Sequence, residues 1–104
     1  MPDPNRGEVW LADLGLAAKV RPCLVLSIAL EDADRALVTA VPHTTSPRGA
    51  RFEVGIQLKF LRPGVFDAQG LVTIPLAKFL RRLGDVPAAD LQLVEEAVRS
   101  WLGL

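Results

Sequence analysis

His43 is the one histidine of the chain. Its unperturbed pKa makes it the natural general acid or base near neutral pH. It stands in Val41-Pro42-His43-Thr44-Thr45, beside two hydroxyls. Successive side chains of a strand point to opposite faces, so His43 and Thr44 are expected to diverge. Cys23, the one cysteine, lies within the apolar run Pro22–Ile28 and reads as inert packing. One cysteine and one histidine cannot make a zinc site alone, and one cysteine cannot form an internal disulfide. Arg48, Arg51, Lys59 and Arg62 follow Thr44 closely, and Lys78, Arg81 and Arg82 form a second basic group. The first group suits phosphate contacts; the second reads equally as a solvated strand face. Taken alone, Arg21 is a surface charge before Pro22, Thr44 a turn residue bonding its own backbone, and Asp67 a turn aspartate.

These residues must be positioned by short elements, because eight glycines and eight prolines punctuate the chain. Glu8–Leu14 reads as a strand, followed by a short loop, Leu16–Val20. Pro22–Ile28 reads as a strand buried on both faces, and Ala36–His43 as another. In Arg51–Leu58, Phe52, Val54, Ile56 and Leu58 alternate with polar residues or glycine, the mark of a half-exposed antiparallel strand. Val65–Pro75 reads as a strand bent at Gly70, and Phe79–Leu83 as the last. A helix follows, with Pro87 at its first position, Val86 as a poor N-cap and Gly103 as its stop. Leu91, Val94, Val98, Trp101 and Leu102 recur at helical spacing, and Glu95 and Arg99 form an i,i+4 pair. Five or six strands and one C-terminal amphipathic helix predict a mainly β fold, a small antiparallel barrel closed by the helix.

The 104 residues suffice for one domain, residues 1–104. Half are apolar, with a mean hydropathy of +0.28, which excludes a disordered tail. So high an apolar share in a small domain points to an oligomer interface. Lys plus Arg equals Asp plus Glu at 12 each, so a basic coat is excluded and a local basic groove is not. Met1–Glu8 holds no apolar segment of a secretory leader. The longest dense apolar run, Cys23–Leu30, is too short to span a membrane, and a cytoplasmic protein without a membrane partner is expected.

Several words recur in a telling order: Arg6-Gly7-Glu8-Val9-Trp10, then Arg21-Pro22 before Leu24-Val25-Leu26-Ser27, then Val41-Pro42-His43-Thr44-Thr45 leading to Phe52-Glu53-Val54. Arg82-Leu83-Gly84 precedes the helix, which ends Trp101-Leu102-Gly103-Leu104. Over nearly the whole chain this order resembles the MazF/PemK toxin family. The resemblance implies an SH3-like barrel with a C-terminal helix and a homodimer whose interface holds an RNA groove. It further implies sequence-selective cleavage of single-stranded RNA without metal or cofactor. A cognate antitoxin with an acidic tail would block the groove, and the complex would bind DNA.

The family's Arg of Arg-Pro and first Thr of Pro-x-Thr-Thr correspond to Arg21 and Thr44. Their chemistry fits: the 2′-hydroxyl attacks phosphorus through a dianionic phosphorane, which a guanidinium fork and a hydroxyl can hold. Losing one such donor costs about 3–4 kcal/mol. Some relatives use the Asp of an Asp-Gln pair as base; here the residues read Asp67-Ala68-Gln69, so Asp67 is a candidate base and Gln69 a base or phosphate contact. Thr45 and His43 are further candidates. Arg48, Arg51 and Lys19 are the RNA-backbone candidates, Lys19 being the cation left in a loop, 15–20, that is longer and Gly-rich in relatives. Two rivals share the fold: a CcdB-like toxin that traps DNA gyrase through its C-terminal helix, and an inactive homologue that only binds an antitoxin.

Overall fold

The most apolar stretches become the centre of the sheet. Strands β1 (Glu8–Asp13), β2 (Val20–Val25) and β3 (Leu37–Thr44) pair antiparallel in that order. Cys23, Leu24 and Val25 are all fully buried, so this half of β2 is covered on both faces; the strand expected to run to Ile28 ends at Val25, and Ile28 is 79% exposed. The computed structural model describes residues 3–104; Met1 and Pro2 of the Met1–Glu8 stretch lie outside the described residues. The remaining strands are β4 (Glu53–Val54), β5 (Val65–Asp67), β6 (Val72–Pro75) and β7 (Phe79–Asp85). The sheet is thus mainly antiparallel with seven strands, in the order β4-β5-β3-β2-β1-β7, and β6 also pairs with β3. One apolar cluster, around Leu24, Val41 and Phe66, meets the C-terminal helix through Val94 and Val98. The other, around Trp10, Cys23 and Phe79, fills the opposite face.

Two departures from the sequence reading shape the site. The alternation over 51–58 survives as burial, with Phe52 and Ile56 inside and Gly55 and Gln57 outside. Only Glu53 and Val54 form a ladder, because their partner β5 is three residues long. Likewise, Val65–Pro75 is two strands rather than one bent strand. His43 pairs with Phe66, and Ala40 with Val72, so Val41 and Pro42 of β3 face residues 67–71. The excess is taken up by a 3-10 turn, Ala68–Gly70. It lies against Pro42, which has no amide hydrogen to offer a ladder. An ideal Cβ on Gly70 would come within 3.2 Å of the Pro42 ring and 2.9 Å of Asp67 Oδ2.

Helix α1 spans Ala88–Leu102. Pro87 sits one position earlier than expected, as the N-cap rather than the first helical residue, and no side chain caps it. Burial of Val94 and Val98 holds the helix, and Gly103, left-handed at φ 73°, ends it. Glu95, expected to pair with Arg99, instead pairs with Arg6, whose guanidinium also donates to the Leu26 carbonyl. A tertiary partner replaces a local one and ties the N-terminal turn to both helix and sheet. Glu8 plays a similar part. It accepts the Asn5 amide at 2.8 Å, the Trp10 indole at 3.0 Å and the Arg82 guanidinium at 2.9 Å. Burial alone would raise the Glu8 pKa, but these donors together hold it below the ordinary carboxylate range.

Candidate functional site

Arg21 lies on β2 opposite Ala12, and Thr44 closes β3 opposite Val65. Distant in the chain, they line one cleft of about 610 Å³ with His43, Arg48, Asp67 and Gln69. The fold brings both sides together because β2 and β3 are neighbours and β5 continues the far edge of β3. Thr44 is half-buried, and its Oγ1 accepts the Ser46 amide at 3.1 Å. It therefore does what a turn threonine does and still has a hydroxyl proton to donate into the cleft. Asp67 reaches the cleft because the 3-10 turn begins immediately after it and because Gly70 leaves room beside its carboxylate.

Strand alternation predicts that His43 and Thr44 diverge, yet both line this cleft. Thr44 is the last residue of β3. The His43 ring is 3% exposed and meets Phe66 edge-on at 5.0 Å. Its Nε2 has no hydrogen-bond partner among the described residues. Burial lowers its pKa, which favours neutral imidazole.

Two residues that build this cleft carry no signal of their own in the sequence. The Glu53 carboxylate accepts the backbone amides of Arg48 (3.0 Å), Gly49 (2.9 Å) and Ala50 (3.1 Å). It thereby folds the 48–50 loop against the cleft and sets the root of Arg48. Glu53 reads as the polar side of an alternating segment and as part of Phe52-Glu53-Val54, with no place in the site. Gly64, which reads as half of a Pro-Gly loop, packs against β3. A Cβ there would run into the Thr44 carbonyl oxygen and lie 2.8 Å from His43 Cε1.

On the other side of Arg21 and His43 lies a second cleft of about 620 Å³. Lys19, Arg62, Arg81, Thr45 and Phe60 line it along with those two. Lys19 holds a left-handed backbone, φ 54°, at the end of the 3-10 turn Leu16–Ala18. Arg51 lies outside both clefts, its guanidinium 4.5 Å above the Phe52 ring. Arg82 is engaged with Asp85 and Glu8, at 2.6 and 2.9 Å. Burial pushes the Cys23 thiol up to about 12, so it stays protonated, as its apolar setting predicts. Among the described residues no three His, Cys, Asp or Glu side chains gather to hold a metal. No helix there is long and apolar enough to cross a membrane.

Residues 5–102 match the family described as "PemK-like, MazF-like toxin of type II toxin-antitoxin system". The chain belongs to this toxin family. Solved structures agree with that membership along the whole toxin. MazF of Deinococcus radiodurans is 29% identical with a TM-score of 0.84, covering 100% of both chains. An endoribonuclease from Mycobacterial species is 28% identical, with a TM-score of 0.80, covering 100% of this chain and 95% of that one. An endoribonuclease in complex with its cognate antitoxin, also from Mycobacterial species, is 29% identical with a TM-score of 0.82, covering 97% and 96%.

Proposed function

We propose that this toxin is an endoribonuclease that cuts single-stranded RNA at selected sequences, without metal, in the first cleft. The 2′-oxygen forms a bond to the adjacent phosphorus, the bond to the 5′-oxygen breaks, and the products carry a 2′,3′-cyclic phosphate and a 5′-hydroxyl. Arg21 binds the non-bridging oxygens as their charge grows, and the Thr44 hydroxyl donates to one of them. Asp67, half-buried in the same cleft, takes the 2′-hydroxyl proton, and the departing 5′-oxygen takes a proton from water. His43, with its nitrogen sealed from solvent, supports the wall. Gln69 and Arg48 contact the base and the RNA backbone. The observation that carries this reading is the meeting of Arg21 and Thr44 in one cleft.

The toxin works as a homodimer and is held inactive by an antitoxin with an acidic tail, as befits a type II toxin. The exposed Leu93, Trp101 and Leu102 of α1 supply apolar surface for such association. The test is incubation of mixed RNA with micromolar protein in EDTA. Cutting that leaves cyclic phosphate ends and is lost in Arg21→Ala is expected. Absence of cutting, or an Arg21→Ala protein that cuts equally well, overturns the assignment.

A further inference from the structure

His43 makes and breaks no bond in the cleavage step, yet among the described residues it is the one buried polar side chain. It borders both clefts, and its Nε2 is sealed within the chain itself, without a hydrogen-bond partner there. A buried polar atom left unpaired costs free energy, so the packing around it must offset that cost. The packing in question is the end of β3. Gly64 lies against the ring and the next carbonyl at once: a Cβ there would stand 2.8 Å from His43 Cε1 and run into the Thr44 oxygen. Phe66, paired with His43 across the sheet, meets the ring edge-on. The ring, Gly64 and the Thr44 backbone therefore form one close contact. The Thr44 hydroxyl that accepts the Ser46 amide is placed by it.

This contact suits only neutral imidazole. An imidazolium donates from both nitrogens and needs an acceptor or water at each. Towards the second cleft it would meet Lys19 after the 3-10 turn, Arg21 of β2, Arg62 and Arg81 of β7, all cations. Towards the first cleft it would meet Arg48, Glu53 and Asp67. Glu53 already accepts three backbone amides, so Asp67 is the acceptor that remains. Burial lowers the His43 pKa, in keeping with a ring that stays neutral until the pH is clearly acid.

We propose that neutral His43 is a positioning residue for the Thr44 hydroxyl, and that its protonation turns the ring toward Asp67 and stops cleavage. Turning removes two things together: the support behind Thr44 and the carboxylate that takes the 2′-hydroxyl proton. The loss of activity rests on the nuclease reading of the first cleft; the movement of the ring does not.

The chain holds one histidine, so a single imidazole signal follows its protonation by NMR in the intact protein. From about pH 7.5 down to about pH 4.5, the Ser46 amide signal, which reports the Thr44 hydroxyl, shifts with the midpoint of the ring. The Gly7 amide, bonded to the Val25 carbonyl, does not. In Asp67→Asn the imidazolium loses its acceptor, and the His43 midpoint moves to lower pH. Wild-type kcat falls about tenfold per pH unit below the His43 midpoint, toward a floor about a hundredfold down as the Thr44 donor is lost. In His43→Leu, kcat stays level through that pH.

A ring that titrates while Ser46 stays still, or that takes no proton before the whole protein unfolds, overturns the proposal. So does an unmoved midpoint in Asp67→Asn, or a His43→Leu protein that keeps the wild-type acid limb. If His43→Leu does not fold, coincidence of the ring, Ser46 and kcat midpoints in the wild type decides. If the wild type cuts no RNA, the nuclease reading fails on its own. The ring and Ser46 midpoints then still decide the movement, and separate midpoints overturn it.

Discussion

The two clefts have nearly the same volume and share a wall, but they are built by different means. The first is made by the sheet: Arg21 and Thr44 sit on adjacent strands, and Asp67 ends β5 just before a 3-10 turn fitted against β3. Its loop is fastened by Glu53 through three backbone amides. Its charges are mixed, as a site needs when it must both hold a dianion and accept a proton. The second is lined by exposed cations from a turn, a loop and β7, with no carboxylate among its lining residues. Preorganised geometry marks the first cleft, and a lining of cations without carboxylates marks the second. In the first, displacement of a few tenths of an ångström should matter; in the second, charge alone should matter.

Substitutions can break that contrast, beginning with the shared residue. Arg21→Ala is expected to lower kcat by about a hundred- to thousandfold, from the loss of one transition-state donor, and to raise KM as well because it borders both clefts. Single-turnover and steady-state kinetics on one RNA would separate the two effects. Next in size, Gly64→Ala forces a methyl group into the Thr44 carbonyl and should cost about 2–3 kcal/mol of stability, by overpacking. It should also reduce kcat, whereas affinity for RNA stays close to that of wild type. Denaturation and anisotropy would show whether the clefts respond separately.

Glu53→Gln should have a smaller effect. The amide still accepts hydrogen bonds but loses their charge assistance, so about 1–2 kcal/mol of stability goes. KM for a short RNA should rise several-fold with kcat nearly unchanged, since Glu53 acts through the loop that roots Arg48; an equal fall in kcat would place it in the chemistry instead.

The smallest effect concerns the common wall. Burial lowers the His43 pKa, so the unfolded chain binds that proton more readily than the folded one. Stability from neutral His43 is complete above about pH 6.5 and is lost as pH falls below it toward the lowered folded value. Glu8, also depressed, adds its loss only at more acidic pH, below the ordinary carboxylate range. Thermal melts of His43→Leu should therefore show a flatter stability profile between pH 7 and 5 than wild type, and the same fall below that. A parallel profile would mean that His43 is not buried neutral.

Local sequence determined much of this protein. The alternation, the unbroken apolar run of β2 and the helical spacing after Pro87 specify a β-rich chain with one C-terminal helix, because each period places its apolar residues on a single buried face. Arg6-Gly7-Glu8-Val9-Trp10, Arg21-Pro22 and Pro42-His43-Thr44-Thr45 in order were enough to name the family. Tertiary structure decided the rest. It shortened the 51–58 strand to two paired residues, because a ladder needs a partner of equal length. It gave Glu95 to Arg6 and turned the Gly70 bend into a 3-10 insert that follows Asp67. It also made Gly64 and Glu53 part of the site. Those outcomes depend on which backbone lies alongside which, and pairing between distant segments leaves no periodic trace along a single strand.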